Sequence, residues 1–360
     1  MRAESRSHLD APLMVFLIML CLSSLFILYS ATGENDGAML RQVIRILLSF
    51  AVLAVVAQIS PQTWHRWSPW VYIIGSTLLV GVLILGIVGK GAQRWLDLGF
   101  FRFQPSELMK LWVPMMVAWV VSRRPLPLSI PMTCLVLIVV MLPVGLVLLQ
   151  PDLGTAILIA VSGLVIVILA GLRWRYMLGA LICVAVAAPY LWTYLHEYQQ
   201  RRILTLIDPW SDPLGAGYHT IQSMIAIGSG GSRGKGWMAG SQSQLEFIPE
   251  RSTDFIFSVF AEEFGLMGVG ALLAIYMCIV FRALMIAYAA QDTWSRLLAG
   301  SLSLTFFFYV FVNIGMVSGM LPVVGVPLPL ISYGGTSMVT LMFGFGILMS
   351  IHSHQSLMNH

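Results

Sequence analysis

The chain has 360 residues, of which 58% are hydrophobic and only 10% are charged. An ordinary soluble domain carries about 25% charged residues, so a fully water-facing fold is excluded and lipid must solvate much of this one. A net charge of +4 implies no nucleic-acid footprint. Cys21, Cys134, Cys183 and Cys278 each sit inside an apolar run. They read as small buried hydrophobes rather than as a disulfide or metal framework.

A spanning helix needs about 20 mostly apolar residues. The first candidate, Leu13–Ser30, lacks any charge and is longer than the core of a signal peptide, so it reads as a retained span. Further candidates follow at Ile46–Ile59, Val71–Gly89, Glu107–Val121, Ile130–Leu149, Leu153–Leu172, Tyr176–Leu195, Phe255–Phe281, Leu297–Val317 and Val326–Ile351. The second and fourth are short and should extend toward their charged flanks. The fold class predicted is therefore all-α: a polytopic transmembrane helical bundle of about ten spans, one domain over residues 1–360. A single long loop, His196–Asp254, carries Trp210, Tyr218, Trp237 and Phe247 and should fold over one mouth of the bundle.

Orientation follows from Lys and Arg in the short loops. Arg2, Arg6, Arg66, Arg123, Arg124, Arg173, Arg175, Arg282 and Arg296 fall on one side. Segments Thr32–Met39, Gln150–Asp152 and Ser318–Gly325, on the other side, have no Lys or Arg. Both termini are expected in the cytoplasm and the long loop outside. The remaining basic residues break the rule in clusters: Arg41 and Arg45; Lys90, Arg94, Arg102 and Lys110; and Arg201, Arg202, Arg233, Lys235 and Arg251. A long loop translocates regardless of charge, and an anionic ligand on the outer face would explain the same clusters.

Charges at membrane depth are costly and mark functional candidates. On the outer side these are Glu107, Asp152 and Asp254. Each also has a structural reading. Glu107 and Lys110 are spaced i,i+3 and can pair; Asp152 stands at a helix start; Asp254 could cap the apolar helix that follows. The glycine-rich stretch Gly228–Gly236 fails the phosphate-loop pattern, with Ser229 and Gly236 where Gly and Ser or Thr are required. It reads as a turn that leaves Lys235 available to an anion. The histidines form no metal-ligand spacing, so no metal site and no cofactor are expected, and a divalent-ion requirement stays open.

Several motifs carry a resemblance. Gly91-Ala92-Gln93-Arg94-Trp95, Gln104-Pro105-Ser106-Glu107-Leu108-Met109-Lys110 and Gln150-Pro151-Asp152-Leu153-Gly154-Thr155 resemble the SEDS family (shape, elongation, division and sporulation). So do Asp208-Pro209-Trp210, Thr253-Asp254-Phe255-Ile256-Phe257, Asn313–Gly319 and Pro327–Gly335. Gln242-Ser243-Gln244-Leu245-Glu246-Phe247 and Leu321–Pro327 are similar to the RodA branch. Ser252 stands where many relatives carry His.

The resemblance implies a ten-span peptidoglycan glycosyltransferase of the inner membrane. It would polymerise lipid II into a nascent glycan strand during elongation and release undecaprenyl pyrophosphate. A lipid II flippase is the alternative. It implies Asp254 as the essential catalytic aspartate, the expected general base, with Arg94, Glu107, Lys110 and Asp152 near the substrate cavity. Arg202 and Lys235 complete the expected substrate-binding set. Of the cations, Arg94, Lys110, Arg202 and Lys235 are the candidate pyrophosphate ligands. The partners it implies are a class B penicillin-binding protein, the transpeptidase, and other membrane proteins of the elongation complex.

Overall fold

The structure, a computed structural model, describes residues 9–355 except 34, 90, 91, 98, 100, 101, 195, 196, 214, 216, 246 and 249. Arg2, Arg6, Lys90, Gly91, Leu195, His196 and Glu246, named above, lie outside the described residues. Helices α1 (Ala11–Ala31), α2 (Asp36–Gln58) and α3 (Pro61–Leu85) come first. Strands β1 (Ile87–Gly89), β2 (Ala92–Asp97) and β3 (Arg102–Phe103) then form a small antiparallel sheet in chain order. Helices α4 (Pro105–Ser122), α5 (Ile130–Leu148), α6 (Leu153–Leu169) and α7 (Trp174–Tyr194) follow. The long loop folds into α8 (Glu197–Ile207), a short 3₁₀ turn, α9 (Tyr218–Gly230) and α10 (Ser241–Gln244). Helices α11 (Ile256–Ala289), α12 (Thr293–Val317) and α13 (Thr336–Gln355) complete the bundle.

Seven of these helices are long and apolar enough to cross a membrane: α1, α2, α3, α5, α11, α12 and α13. The other three predicted spans fall on α4, α6 and α7, so each apolar run overlaps a helix of its own. Local chemistry sets several starts. Asp10, Asn35, Asp152 and Asp292 cap α1, α2, α6 and α12 through side-chain oxygens. Proline in the first turn opens α3, α4 and α5, where a missing N–H costs nothing.

The short second span extends toward its charged flank as expected: α2 begins at Asp36 and takes in Arg41 and Arg45. Two expectations are corrected. No helix forms from Val326: residues 318–335 run as a non-helical segment and α13 starts at Thr336. Pro327 and Pro329 remove helical donors there. In addition, only Cys21 of the four cysteines is buried; Cys134, Cys183 and Cys278 are exposed on the bundle surface. A small hydrophobe is stable there because that surface meets lipid and not water.

The bundle has a centre and a rim. In α12, 67% of the spanning window is buried, against 28% in α5. α7 lies at the extreme: its described side chains are exposed except for Ala187 and Trp192. The start of α1 and the end of α13 meet, because Asp10 accepts from Arg282 at 2.5 and 3.1 Å and lies 3.3 Å from His352. The long loop packs at the other end of α1 and α11.

Helix α11 breaks at Gly265, where φ is 62°. A β-carbon there would come within 2.2 Å of the Gly234 nitrogen. The long loop repairs the broken hydrogen bonding: Lys235 and Gly236 donate their N–H groups to the Glu262 and Glu263 carbonyls, both at 3.0 Å. Leu266 and Met267 donate to Gly231 and Ser232 at 2.9 and 3.1 Å. Unpaired backbone is not tolerated at membrane depth, so the loop is an integral part of this helix.

Candidate functional site

The site sits at the loop end and is built from helix starts. Asp152 caps α6 through Thr155 N at 3.1 Å, leaving its other oxygen for Gln104 Nε2 at 3.2 Å and Arg94 Nε at 3.7 Å. Arg94, reaching across from β2, also donates to the Pro151 carbonyl at 2.5 Å. Gln104 precedes α4, whose first turns carry Glu107 and Lys110. Lys110 Nζ lies 2.6 Å from Glu107 Oε1, with the two residues 4% and 7% exposed. The ammonium also stands 4.9 Å from the centre of the Tyr309 ring on α12.

One turn beyond Tyr309, Asn313 uses its amide to hold two backbones together. Its Nδ2 donates to the Asp254 carbonyl at 2.9 Å and to Val326 at 2.7 Å. The segment 318–335 forms the floor beneath Asp254. A β-carbon on Gly325, whose φ is 73°, would lie 3.4 Å from Asp254 Oδ2. Ser332 Oγ donates to the Thr253 carbonyl at 2.6 Å, and Tyr333 N donates to Ser252 at 2.8 Å. The same segment touches α6, since a β-carbon on Gly154 would meet the Val324 carbonyl at 2.6 Å. Arg94, Asp152, Glu107, Lys110 and Asp254 therefore belong to one continuous chain of contacts.

Asp254 does not occupy the cap of α11. The helix begins at Ile256 and its N-cap position falls on Phe255, which makes no side-chain cap bond. His219 on α9 stacks on that Phe255 ring at 5.7 Å. Burial holds the His219 imidazole below its usual value, with Glu250 opposing.

The other two predicted residues are placed differently. Lys235, expected to be available to an anion, lies 2.7 Å from Glu262 Oε1. Glu262 is fully buried and also accepts from Gln242 N at 3.0 Å and Ser243 N at 3.2 Å, which locks the loop onto α11. Arg202 is half-buried on α8 and is not joined to the site by any of the contacts above.

Four participants were given no role from sequence, although three of them fall within the motifs quoted for the resemblance: Gln104, Tyr309, Asn313 and Tyr333. Asn313 carried a usable signal, a polar amide inside an apolar span. Tyr309 did not, because an aromatic residue in such a run reads as packing.

A family model described as "Cell cycle protein", covering FtsW, RodA and SpoVE, matches residues 8–357. The chain belongs to this family. The peptidoglycan glycosyltransferase MrdB of Escherichia coli K12 is 53% identical over 353 residues, covering 98% of this chain and 95% of that protein. A solved peptidoglycan synthase complex, described as coordinating polymerisation and crosslinking, contains a chain 33% identical with a TM-score of 0.85. The match covers 96% of this chain and 98% of that one. RodA of Thermus thermophilus is 28% identical with a TM-score of 0.72, covering 95% of this chain and 96% of that one. A mostly helical fold like that of the RodA structure, with several membrane-spanning helices and a multi-pass membrane placement, follows.

Proposed function

We propose that the chain is an inverting peptidoglycan glycosyltransferase that polymerises lipid II, with Asp254 as general base. The observation that carries this is the placement of Asp254 one residue before the N-cap position of α11, on a backbone held by Asn313 and Ser332, beside a line of paired charges. In the reaction, a sugar hydroxyl oxygen attacks the anomeric carbon of the lipid-linked donor. The carbon–oxygen bond to the diphosphate breaks, and undecaprenyl pyrophosphate leaves with the electron pair. Asp254 takes the hydroxyl proton. One displacement inverts the anomeric centre, and no second carboxylate is needed because the leaving group is already a good one. The assay is incubation of the purified chain with lipid II in detergent, with and without a class B penicillin-binding protein as partner. Glycan strands, increased by a partner that co-purifies, are the expected result. Absence of strands in both arms would remove the polymerase reading.

The site is assigned to the outer face of the inner membrane, with both termini in the cytoplasm. The Asp10–Arg282–His352 contact supports a common end for the termini, and Arg66, Arg123, Arg124, Arg173, Arg175 and Arg296 belong to that side. Single cysteines at Ser232, which is exposed in the long loop, and at Ser353 test this in a background lacking the native four. An impermeant thiol reagent should label the first in cells with a permeabilised outer membrane and spare the second. Reversed labelling would invert the topology.

A further inference from the structure

Three of the four cations expected to hold pyrophosphate already have carboxylate partners: Arg94 with Asp152, Lys110 with Glu107 and Lys235 with Glu262. Arg41 and Arg45 differ. They are spaced i,i+4 on α2 and so share one face, and among the described residues neither forms an ion pair. Arg41 Nε donates to the Tyr333 hydroxyl at 3.0 Å. The Arg45 guanidinium lies over the same ring, 4.3 Å from its centre. Its Nη1 atom is buried and has no hydrogen-bond partner among the described residues.

The backbone of Gly335 opens this spot. A β-carbon there would stand 3.3 Å from Arg45 Nε, and α13 begins one residue later, so a helix N-terminus adds its partial positive charge. Tyr333 connects the cations to the reaction centre, because its N–H is bonded to Ser252, two residues before Asp254. Burial alone would raise the Tyr333 phenol. The Arg41 hydrogen bond and the charge of both arginines outweigh it and leave the phenol below its usual value.

We propose that Arg41 and Arg45, braced by Tyr333 at the start of α13, form the diphosphate site, with the donor's pyrophosphate as its ligand. Two guanidinium groups on one helix face can each engage one phosphoryl group, and such charge-assisted bonds are roughly twice as strong as neutral ones. The assignment rests on the polymerase reading for its biological ligand, but the site itself can be measured without turnover.

The probe is inorganic pyrophosphate, titrated calorimetrically into the purified full-length chain at low salt. Phosphatidylglycerol in mixed micelles serves as competitor. Wild type should bind. Arg41→Gln and Arg45→Gln should each weaken binding roughly tenfold or more, Arg45→Lys less so because it keeps the charge but loses the fork. Tyr333→Phe, which keeps the ring under Arg45, should change affinity by less than about threefold. If Arg45→Gln fails to fold, Arg45→Lys and Arg41→Gln carry the comparison. Unchanged affinity in folded variants, no binding to wild type, or equal competition by phosphatidylglycerol (a lipid-headgroup site) would each overturn the proposal. A chain that binds pyrophosphate through Arg45 yet makes no glycan would instead remove the polymerase reading alone.

Discussion

Asp254→Asn should insert, fold and bind its partner normally while glycan synthesis falls roughly 10²–10⁴-fold, the usual contribution of a general base. Asn accepts hydrogen bonds and caps helices about as well as Asp, but it cannot take a proton from a hydroxyl. In many proteins that substitution would leave a capping role intact and so say nothing about stability. Here the N-cap position of α11 falls on Phe255, one residue beyond Asp254. The contacts that fix the segment are made by backbone: the Asp254 carbonyl to Asn313, the Thr253 carbonyl to Ser332 and the Ser252 carbonyl to Tyr333. None of these depends on the side-chain charge. Strand length on gels, with thermal unfolding in detergent alongside, is the measurement; full activity would remove Asp254 from the chemistry. The same assay separates polymerase from flippase, since solubilised protein has no two compartments between which to move a lipid. Strands made in detergent and lost in Asp254→Asn require bond-forming chemistry.

The second large effect is expected at Glu107 and Lys110. Both are buried and 2.6 Å apart, so removing one partner leaves the other's charge in a low-dielectric interior. Glu107→Gln or Lys110→Met alone should destabilise the bundle by about 3–5 kcal/mol. Replacing both together removes both desolvation penalties and should recover most of that loss. Activity distinguishes a strut from a working group. Glu107 Oε2 is buried with no hydrogen-bond partner among the described residues, so one acceptor remains for substrate. The double variant should therefore regain stability and stay inactive. Recovery of strand synthesis together with stability would reduce the pair to a structural role.

Much of the fold was legible because lipid imposes a simple rule: a span must be long, apolar and internally hydrogen-bonded. Ten apolar runs pointed to spans, and each overlaps a helix, seven of them long and apolar enough to cross. The rule failed at Val326–Gly335, where apolar composition continued but Pro327 and Pro329 prevented a helix. Composition records hydrophobicity, whereas helix formation also needs donors. The site was legible in part for a related reason. Acids and cations at membrane depth are costly, which singled out Glu107, Lys110, Asp152 and Asp254 without any knowledge of their neighbours.

Pairing was not legible, because it joins residues far apart in the chain. Spacing offered Lys110 to Glu107, three residues away, and the structure agrees. No local spacing offers Lys235 to Glu262, or Arg45 to Tyr333. Those contacts exist because the long loop fills the break at Gly265 and because segment 318–335 folds under Asp254. The sequence by itself determined a multi-span bundle with costly charges near one membrane face, since burial of such residues in lipid is a property of each residue alone. Only the tertiary structure decided which cations are already neutralised and which keep an open charge. Electrostatic energy depends on distances of a few ångströms between groups that the chain brings together last.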